Sequence, residues 1–562
     1  MFVYDTASGL SGTFTTENFI LLVVFALVNT TLLCYIARKF MQITQQSGYV
    51  NSEYRKWVRR RENVYIVRLG MVVMLSVLSY LIFSIAFSFG NADWVAPCGF
   101  AFYLVFVVVY ILSDMSRKSK TPLVMTSRVI RLYATFALLT LIFNFALLCG
   151  LAALGALVYT NDILFRVRFC PMTVTPLTVP VFVSVANALN SPAERAISRK
   201  YVQKCKETLA ARDDLIKIGV TGSYGKTSVK EILRTILSEK YNVLVTPFSY
   251  NTPLGICRAV KKLDDTYDVF IAEMGARHEG DIRELCDIVN PTFGVINGIV
   301  EQHLETFQSL EKIKKTKFEL VDRLRENGGS VVITCDNENT LSMLGELGGV
   351  SVTLAGLDTS YSPEVYAENV KLTRDGTEFT LCFKDGKYEC YCPLYGRHNV
   401  SNVVLAAAMA EKLGLTHGEI VAGIARLKPI KHRLEVSFPD NGVTVIDDSY
   451  NSNVDGTKAA VEVMNSFAGR KIIVTPGMVE LGRIENRENY EFGRRLASVV
   501  DKAVLVGSHG AYSIRDGLLS EGFPLENIFM AKDLNDAMAH YRKTYEKGDV
   551  VLFENDLPDK FS

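Results

Sequence analysis

The sequence predicts an α/β protein in which an N-terminal helical transmembrane bundle precedes a parallel-sheet domain with a phosphate-binding loop (P-loop) and a smaller Rossmann-like C-terminal domain. Three observations predict this. Long apolar stretches fill the first 190 of 562 residues, short apolar runs alternate with amphipathic segments after residue 214, and a glycine-containing loop joins the first such run to a helix. We expect a transmembrane region over residues 1–190, a basic amphipathic linker helix over 191–213, a central domain over 214–427 and a C-terminal domain over 428–562.

The composition is an average over two unlike halves. The chain is 49% hydrophobic with a net charge of +1, which excludes a disordered or fibrous protein. Residues 1–192 carry 15 Lys/Arg and 7 Asp/Glu, a net charge of +8, whereas the remaining residues carry 46 and 53, a net charge of −7. A basic apolar half is therefore joined to an acidic half.

Four apolar stretches are long enough to cross a bilayer, at residues 19–36, 69–89, 95–113 and 132–159. A fifth, at residues 171–189, contains Pro171, Pro176 and Pro180, and its hydropathy is equally typical of a re-entrant or interfacial segment. Residues 37–68 hold eight Lys/Arg and residues 114–131 hold five, whereas residues 1–18 and 90–94 hold none. Positive loops stay cytoplasmic, so we predict an outside N-terminus and, with five spans, a cytoplasmic C-terminal part in a multi-pass cell-membrane protein. The basic linker helix suits an anionic inner leaflet, which makes membrane lipid an expected partner.

A phosphate-binding loop follows the apolar run at residues 215–220. The candidate nucleotide-binding residues there are Thr221, Gly222, Ser223, Gly225, Lys226, Thr227 and Ser228. Glycines let backbone N–H groups close on phosphate oxygens, and the helix N-terminus adds positive potential. The lysine reaches the β- and γ-phosphates and the threonine hydroxyl ligates Mg²⁺. Val220 stands where the usual motif has its first glycine. Because nucleotide is cytosolic, this loop also supports five spans.

Polar residues follow two further apolar runs, where α/β sheets place their ligands. Glu273 follows the run at 268–272, and His303 lies beyond the run at 293–296. A carboxylate and a histidine so placed are candidate metal ligands beside the phosphates, although either alone is more often structural. By pattern alone, Lys317 and Glu319 are expected on a solvated helix face.

Six ordered motifs together resemble the Mur ligase family. They lie at residues 221–228, 250–255, 273–281, 302–305, 396–402 and 447–453. Their order and spacing are most similar to the branch that adds D-alanyl-D-alanine to a UDP-N-acetylmuramoyl tripeptide. The resemblance implies an ATP-dependent, ADP-forming ligase of peptidoglycan precursor synthesis, which joins a carboxylate to an amine through an acyl phosphate.

The resemblance also implies roles for individual residues. Lys226 and Thr227 serve the phosphates and the first Mg²⁺, with Glu273 shared with the metal, and His303 corresponds to a second Mg²⁺ ligand. Lys317 falls where the family carries a carbamylated lysine. The nucleotide-side residues implied are Asn251, Thr252, Asn399, Asn402, Arg433 and Asp448. The pattern alone makes Asn399–Asn402 a helix N-cap, and both interpretations of that segment stay open.

The sequence departs from the family where the substrate is held. Membrane spans replace the domain that binds the uridine nucleotide, Gly477 stands where an aspartate is usual, and Glu554-Asn555-Asp556 replaces Lys-Gly-Ser-Arg. The expected substrates are therefore a muramyl peptide, free or lipid-linked, and an amine such as D-alanyl-D-alanine, with ATP and Mg²⁺ as cofactors and no nucleic acid. Three alternatives stay open: a poly-γ-glutamate or folate-type ligase, an ATP-driven membrane transport component, and a non-catalytic nucleotide sensor.

Overall fold

The computed structural model describes residues 16–60, 63–86, 95–115, 121–157, 169–302, 304–450, 453–479, 481–507 and 509–555. The chain divides into two compact units, Met1–Ile197 and Ser198–Leu557. Each unit is described by itself.

The first unit is helical. Its elements are α1 (Thr16–Gln46), α2 (Asn51–Val58), α3 (Val64–Ala86), α4 (Val95–Met115), α5 (Ser127–Leu157), a 3-10 helix (Cys170–Thr178) and the first part of α6 (Val179–Ala210). Five helical stretches among the described residues are long and apolar enough to cross a membrane: Phe19–Gln46, Val64–Ala86, Cys98–Met115, Ser127–Leu154 and Cys170–Ala210. The prediction of five apolar helical stretches is confirmed. The fifth expected span and the expected linker helix are continuous in α6, because Pro192 lies inside that helix without ending it.

A polar network lies inside the apolar helices of this unit. Asn29 Nδ2 donates to Asn144 Oδ1 at 3.1 Å and to Thr175 Oγ1 at 3.0 Å. Tyr103 donates its hydroxyl proton to Asn29 Oδ1 at 2.7 Å, and Asn144 Nδ2 donates to Thr30 Oγ1 at 2.9 Å. These side chains come from α1, α4, α5 and the 3-10 helix. Such paired polar groups join apolar helices and set their rotation.

A bidentate ion pair joins α5 to α6. Arg131 Nε and Nη2 donate to the two carboxylate oxygens of Glu194 at 2.6 and 2.9 Å, and Glu194 is buried. We expect R131A to destabilise this unit by ~3 kcal/mol or more, because it leaves a buried carboxylate without its main partner. Thermal unfolding in detergent measures this. R195A is the matched control, since Arg195 is exposed beside Glu194 and, among the described residues, donates to Ser191 of its own helix. Equal melting temperatures for the two variants would contradict the expectation.

The second unit opens with a nine-stranded sheet of order β2-β3-β1-β4-β5-β6-β7-β8-β9. Its strands are β1 (Ile216–Thr221), β2 (Val243–Val245), β3 (Val269–Glu273), β4 (Phe293–Ile296), β5 (Ser330–Thr334), β6 (Ser351–Gly356), β7 (Val365–Leu372), β8 (Thr377–Phe383) and β9 (Gly386–Cys392). The pairs from β2 to β7 are parallel, whereas β8 and β9 form an antiparallel extension. The expected parallel sheet is confirmed, and the extension is an addition to it.

Helices cover both faces of this sheet. They are α7 (Lys226–Leu237), α8 (Pro253–Val260), α9 (Asp281–Val289), α10 (Leu304–Phe307), α11 (Leu310–Glu326), α12 (Glu338–Leu341), α13 (Arg397–Lys412) and α14 (His417–Ala425). One hydrophobic core joins the sheet to α7, α13 and α14, and the other joins it to the end of α6, to α8, α9 and α11.

The C-terminal part of this unit is a six-stranded sheet of order β10-β11-β15-β12-β13-β14. Its elements are β10 (Glu435–Ser437), β11 (Thr444–Asp448), α15 (Val454–Ser466), β12 (Lys471–Thr475), α16 (Glu485–Leu496), β13 (Lys502–Val506), α17 (His509–Ser520), β14 (Ile528–Ala531), α18 (Leu534–Thr544) and β15 (Val550–Glu554). All its strand pairs are parallel except β10 with β11. The predicted Rossmann-like domain is confirmed as a parallel sheet with helices between its strands.

The central sheet brings the candidate residues to one edge. Val220 of β1 pairs with Glu273 of β3 and with Val295 of β4. The P-loop after β1, the carboxylate that ends β3 and the residues after β4 therefore lie at neighbouring carboxyl ends. Parallel α/β sheets bind their ligands at this edge.

Candidate active site

The P-loop closes against two asparagine side chains. Gly225 is the N-cap of α7 and lies in the left-handed region at φ 69°. A Cβ atom here would lie 2.2 Å from Asn297 Nδ2 and 2.8 Å from Asn402 Oδ1. These two side chains are joined by a hydrogen bond in which Asn297 Nδ2 donates at 2.7 Å. Position 225 therefore requires glycine for both its conformation and its space.

The Lys226 ammonium curls back over the P-loop. Its Nζ donates to the carbonyl oxygens of Gly222 at 2.8 Å and Ser223 at 2.9 Å. Burial lowers the pKa of Lys226 to about 8, the nearby Glu273 carboxylate opposes this shift, and Arg433 adds to it. A partly desolvated cation held on a loop of backbone groups at a helix N-terminus favours an anion such as phosphate.

Glu273 is the centre of a polar cluster at this edge. Its buried carboxylate accepts hydrogen bonds from Thr227 Oγ1 at 3.0 Å, Asn251 Nδ2 at 3.2 Å and Lys230 Nζ at 3.3 Å. The structure therefore brings together three of the predicted residues. Threonine and carboxylate oxygens are the ligands that Mg²⁺ prefers. Lys230 was not among the predicted residues.

Lys317 and Glu319 are buried on α11, so the prediction of a solvated face is wrong. The reason is that α11 packs against both the sheet and α9, and Lys317 lies on its buried face. Glu319 accepts hydrogen bonds from the backbone N–H groups of Gly280 and Arg283, each at 2.8 Å, at the start of α9. Burial, followed by the nearby Lys226 charge, lowers the pKa of Lys317 well below its usual value. Both effects favour the uncharged form of the Lys317 amine.

A cavity of about 610 Å³ adjoins the P-loop. Asn399 and Asn402 line it from the first turns of α13, where Asn399 Nδ2 donates to the Tyr395 carbonyl oxygen at 2.9 Å. The N-cap interpretation of this segment is wrong, because Gly396 is the N-cap and both asparagines lie inside the helix. Both residues line the cavity from inside the helix.

Arg433 and Asp448 line the same cavity from the C-terminal sheet side. The Arg433 guanidinium lies 4.1 Å from the centre of the Tyr450 ring, and Asp448 Oδ1 accepts a hydrogen bond from the Leu434 N–H at 3.1 Å. Burial raises the pKa of Asp448 to about 6, while the Arg433 charge opposes the rise. An arginine and a carboxylate are thus presented to the cavity by the C-terminal domain.

The other predicted residues lie in less direct positions. Thr221 Oγ1 donates to the Met274 carbonyl oxygen at 3.0 Å, and Ser223 Oγ donates to the Val300 carbonyl oxygen at 3.1 Å. Thr252 is the N-cap of α8, with its hydroxyl accepting from the Gly255 N–H. Ser228 lines the cavity. His303 lies outside the residues that the structure describes, so its role as a metal ligand stays a prediction.

Comparison with known proteins decides the family. Residues 220–410 match the model of the Mur ligase middle domain, and residues 432–554 match the Mur ligase, glutamate ligase domain. Over 357 residues the chain is 31% identical to the UDP-N-acetylmuramoyl-tripeptide–D-alanyl-D-alanine ligase of Mycobacterium tuberculosis strain H37Rv, covering 60% of this chain and 69% of that enzyme. The chain belongs to the Mur ligase family.

Further relatives place this Mur ligase more closely. The ligase of the same name from Escherichia coli is 35% identical over 292 residues, which are 52% of this chain and 64% of that enzyme. The chain thus spans just under two thirds of that relative. The crystal structure of MurF from Acinetobacter baumannii superposes with a TM-score of 0.58 at 26% identity, covering 64% of this chain and 77% of that one. The predicted resemblance and fold are confirmed.

Mur ligases use ATP and Mg²⁺, and the residues of this Mur ligase fit both. Thr227 and Glu273 offer the oxygen ligands that Mg²⁺ requires. In the 610 Å³ cavity, His398 Nδ1 is buried without a hydrogen-bond partner among the described residues. A buried polar atom without a partner is costly unless a ligand pairs with it. His398 lies in the motif at 396–402, but the sequence analysis assigned it no role.

Acidification from pH 6.5 to 4 is expected to destabilise this Mur ligase through His398. Burial lowers the pKa of His398 from 6.5 to about 4, so in this range the unfolded chain binds a proton that the folded chain does not. The stability that neutral His398 contributes is complete above pH 6.5 and is lost as the pH falls towards 4, by ~3 kcal/mol at most. Thermal unfolding of the wild type and H398Q between pH 4 and 7 measures this difference.

The control is H278Q, which replaces a histidine whose side chain is 68% exposed. We expect H398Q to show a flatter stability profile than both the wild type and H278Q. A decline in H398Q as steep as in the wild type would assign the acid sensitivity to other groups.

Proposed function

We propose that this Mur ligase joins D-alanyl-D-alanine to the carboxylate of a muramyl tripeptide, using ATP, in peptidoglycan precursor synthesis. The names of the relatives from Escherichia coli and Mycobacterium tuberculosis support these substrates. The observation that carries the proposal is the polar cluster at the edge of the central sheet, where Lys226, Thr227 and Glu273 meet. Lys317 is buried near Lys226 of that cluster, and burial and the Lys226 charge lower its pKa.

In the proposed reaction the peptide carboxylate attacks the γ-phosphate of ATP, and an acyl phosphate forms with loss of ADP. The amine of the dipeptide then attacks the acyl carbon, and the amide forms with loss of phosphate and a proton. Mg²⁺, when bound, supplies the positive charge that lowers the repulsion between carboxylate and phosphate oxygens.

The side chains of this chain position and neutralise the reactants. Lys226 presents its ammonium to the phosphates, and Thr227 and Glu273 hold the metal through their oxygens. From the cavity walls, Asn399 and Asn402 orient the adenine side of the nucleotide. Arg433 contacts phosphate, and the Asp448 carboxylate accepts a hydrogen bond from a ribose hydroxyl. Lys317, as a carbamate, would add a negative charge beside the metal.

We further propose that the helical unit anchors the enzyme in the cell membrane with the ligase domains in the cytoplasm and the N-terminus outside. Its helices expose apolar side chains, with Met74, Leu112 and Val181 each 61% exposed. Contiguous apolar surface of this kind is unusual in water, and the basic segments at 37–68 and 114–131 support the orientation.

Two muramyl acceptors fit this arrangement. The names of the relatives favour a UDP-linked tripeptide. The position of the helical unit ahead of the family domains, which begin at residue 220, favours a lipid-linked tripeptide, because an anchored enzyme meets its lipid-linked acceptor in the plane of the membrane.

The test incubates the purified full chain, in detergent or nanodiscs, with Mg-ATP, D-alanyl-D-alanine and either the UDP-linked or the lipid-linked tripeptide. Mass spectrometry follows the new amide, and ADP release is measured in parallel. We expect product with at least one acceptor. ADP release without product from either acceptor would contradict the cell-wall assignment. L-glutamate in place of the dipeptide tests the poly-γ-glutamate or folate-type alternative.

Topology is tested separately. A reporter that is active only in the cytoplasm, fused after Ser562, is expected to be active. A signal only from an external reporter at that position would overturn the cytoplasmic placement of the ligase domains, because nucleotide would then be out of reach.

A further inference from the structure

The side chain of Lys230 is fully buried beside the proposed metal site. Its side chain is 0% exposed, and it lies on α7 one turn after Lys226. Nζ donates to the carbonyl oxygen of Thr246 at 2.7 Å, to that of Phe248, and to Glu273 Oε2 at 3.3 Å. Glu231 Oε1 lies 3.4 Å away. A lysine is almost never fully buried unless its charge is paired, so this arrangement needs a physical reason.

The ammonium of Lys230 joins three separate elements. It comes from α7, Glu273 ends β3, and residues 246–250 connect β2 to Asn251. The same connection is tied to β3 a second time, because the Glu273 N–H donates to Thr246 Oγ1 at 3.1 Å and the Thr246 N–H donates to the Ile271 carbonyl oxygen at 3.1 Å. Lys230 thus links the three elements that surround the Glu273 carboxylate.

The backbone of residues 246–250 adopts an unusual conformation where it contacts Lys230. Phe248 has φ 51°, in the left-handed region that a phenylalanine rarely adopts, and its side chain is 78% exposed. Its carbonyl oxygen points inward to Lys230 while its ring stays outside. A strained backbone conformation of this kind persists only where the surrounding contacts stabilise it. The next residue along the chain, Ser249, has its Oγ 3.5 Å from Thr227 Oγ1.

The contacts hold the Glu273 carboxylate from both sides. Asn251 Nδ2 donates to Oε1 at 3.2 Å, whereas Thr227 Oγ1 and Lys230 Nζ donate to Oε2. The carboxylate plane is thereby fixed, with Lys230 Nζ beside it. Groups that orient a metal ligand without touching the metal strongly affect its affinity.

We propose that Lys230 is a positioning residue that sets the orientation of Glu273 for Mg²⁺ and ties the 246–250 segment to it. This rests on the proposed role of Thr227 and Glu273 as Mg²⁺ ligands. Lys230 is not among the residues that line the 610 Å³ cavity, so its proposed effect on the reaction passes through Glu273.

The experiment measures ADP binding to the full-length chain by calorimetry, with and without Mg²⁺, for the wild type and K230M. Methionine keeps most of the side-chain length but removes the charge. In the wild type we expect Mg²⁺ to strengthen ADP binding. In K230M we expect this strengthening to fall about tenfold or more, while ADP affinity without Mg²⁺ changes by less than about threefold.

The matched control is K314M. Lys314 is also buried, on α11, and pairs with Glu311 at 3.1 Å of its own helix. We expect K314M to keep the wild-type response to Mg²⁺. A second variant, K230Q, keeps a hydrogen-bond donor in the side chain but carries no charge towards Glu273. It replaces K230M if the latter does not fold, and we expect the same loss of Mg²⁺ response.

E273Q separates this proposal from the proposed function. If E273Q keeps the full Mg²⁺ response, Glu273 is not a metal ligand and the proposed metal site fails. If E273Q loses the response while K230M and K230Q keep it, the site stands and the role of Lys230 is overturned. A K230M variant that weakens ADP equally with and without Mg²⁺ also overturns it, because Lys230 then supports only the P-loop.

Discussion

Replacing Lys226 with methionine is expected to lower kcat/KM for amide formation by about 10³-fold or more, because one preorganised charge on the transferring phosphate is worth that much in a desolvated site. The Lys226 ammonium already lies on the P-loop, within 2.8 Å of the Gly222 carbonyl oxygen and 2.9 Å of that of Ser223. Mass-spectrometric rates of product formation measure the loss, and calorimetry with ADP shows whether nucleotide affinity falls with it.

The fold should survive this change. Burial makes the Lys226 charge costly, as its pKa of about 8 indicates, so K226M is expected to melt at or above the wild-type temperature. K240M is the control, since Lys240 is exposed beyond the end of α7 and donates to the Gly414 carbonyl oxygen. A K226M enzyme that retains a tenth of wild-type turnover would remove the P-loop lysine from the mechanism.

The parts of the site that could be predicted are those formed by residues that are adjacent in the sequence. The strand, P-loop and helix from β1 to α7 follow from local apolar runs, glycines and a lysine, and the P-loop forms where predicted. Glu273 was likewise placed by its position directly after an apolar run. Because parallel strands bring their carboxyl ends to one edge, the meeting of Thr227 with Glu273 followed from the fold class.

The burial of Lys317 could have been found from periodicity. Ile313, Val321 and Leu324 lie on one face of α11, and Lys317 falls between them at helical spacing. The charge alone suggested a solvated face, but the apolar neighbours at i−4 and i+4 place it inward. Lys230 gave no comparable signal, because its partners at Thr246 and Phe248 come from a segment that only the folded chain brings to α7.

The antiparallel extension of the central sheet could also have been predicted, from two Asp-Gly pairs in the sequence. Asp375-Gly376 follows β7 and Asp385-Gly386 follows β8. Asp-Gly between two strand-like runs favours a hairpin. The long-range order of the strands, by contrast, is set by packing of the helices on both faces and has no counterpart in the sequence pattern.

Replacing Lys317 with alanine is expected to lower turnover by about 10²-fold or more, and the proposed reason is the loss of a carbamate anion on this lysine. Burial, followed by the Lys226 charge, lowers the pKa of Lys317 well below its usual value, which favours the uncharged amine that reacts with CO₂. Carbamylation would place an anion at this position, and the alanine variant lacks that charge.

Chemical rescue distinguishes this role from a loss of packing. A small carboxylate such as acetate fits the space that the side chain leaves and supplies an anionic oxygen there, so added acetate is expected to restore part of the K317A turnover but none of the K226M turnover. K315A is the control on the same helix, because Lys315 is exposed. Removal of CO₂ from the wild-type enzyme should lower its rate reversibly, with no effect on K317A.

The two variants therefore probe opposite charges at one edge of the sheet. If K317A loses turnover but neither acetate nor CO₂ affects any enzyme, Lys317 acts as an amine or through packing, and the carbamate is wrong. If acetate restores K317A while K226M stays inactive, both a cation on the P-loop and an anion on α11 are required. That pairing is what a reaction between a carboxylate and a phosphate demands, since the metal that brings the two anions together must itself be held by negative charge.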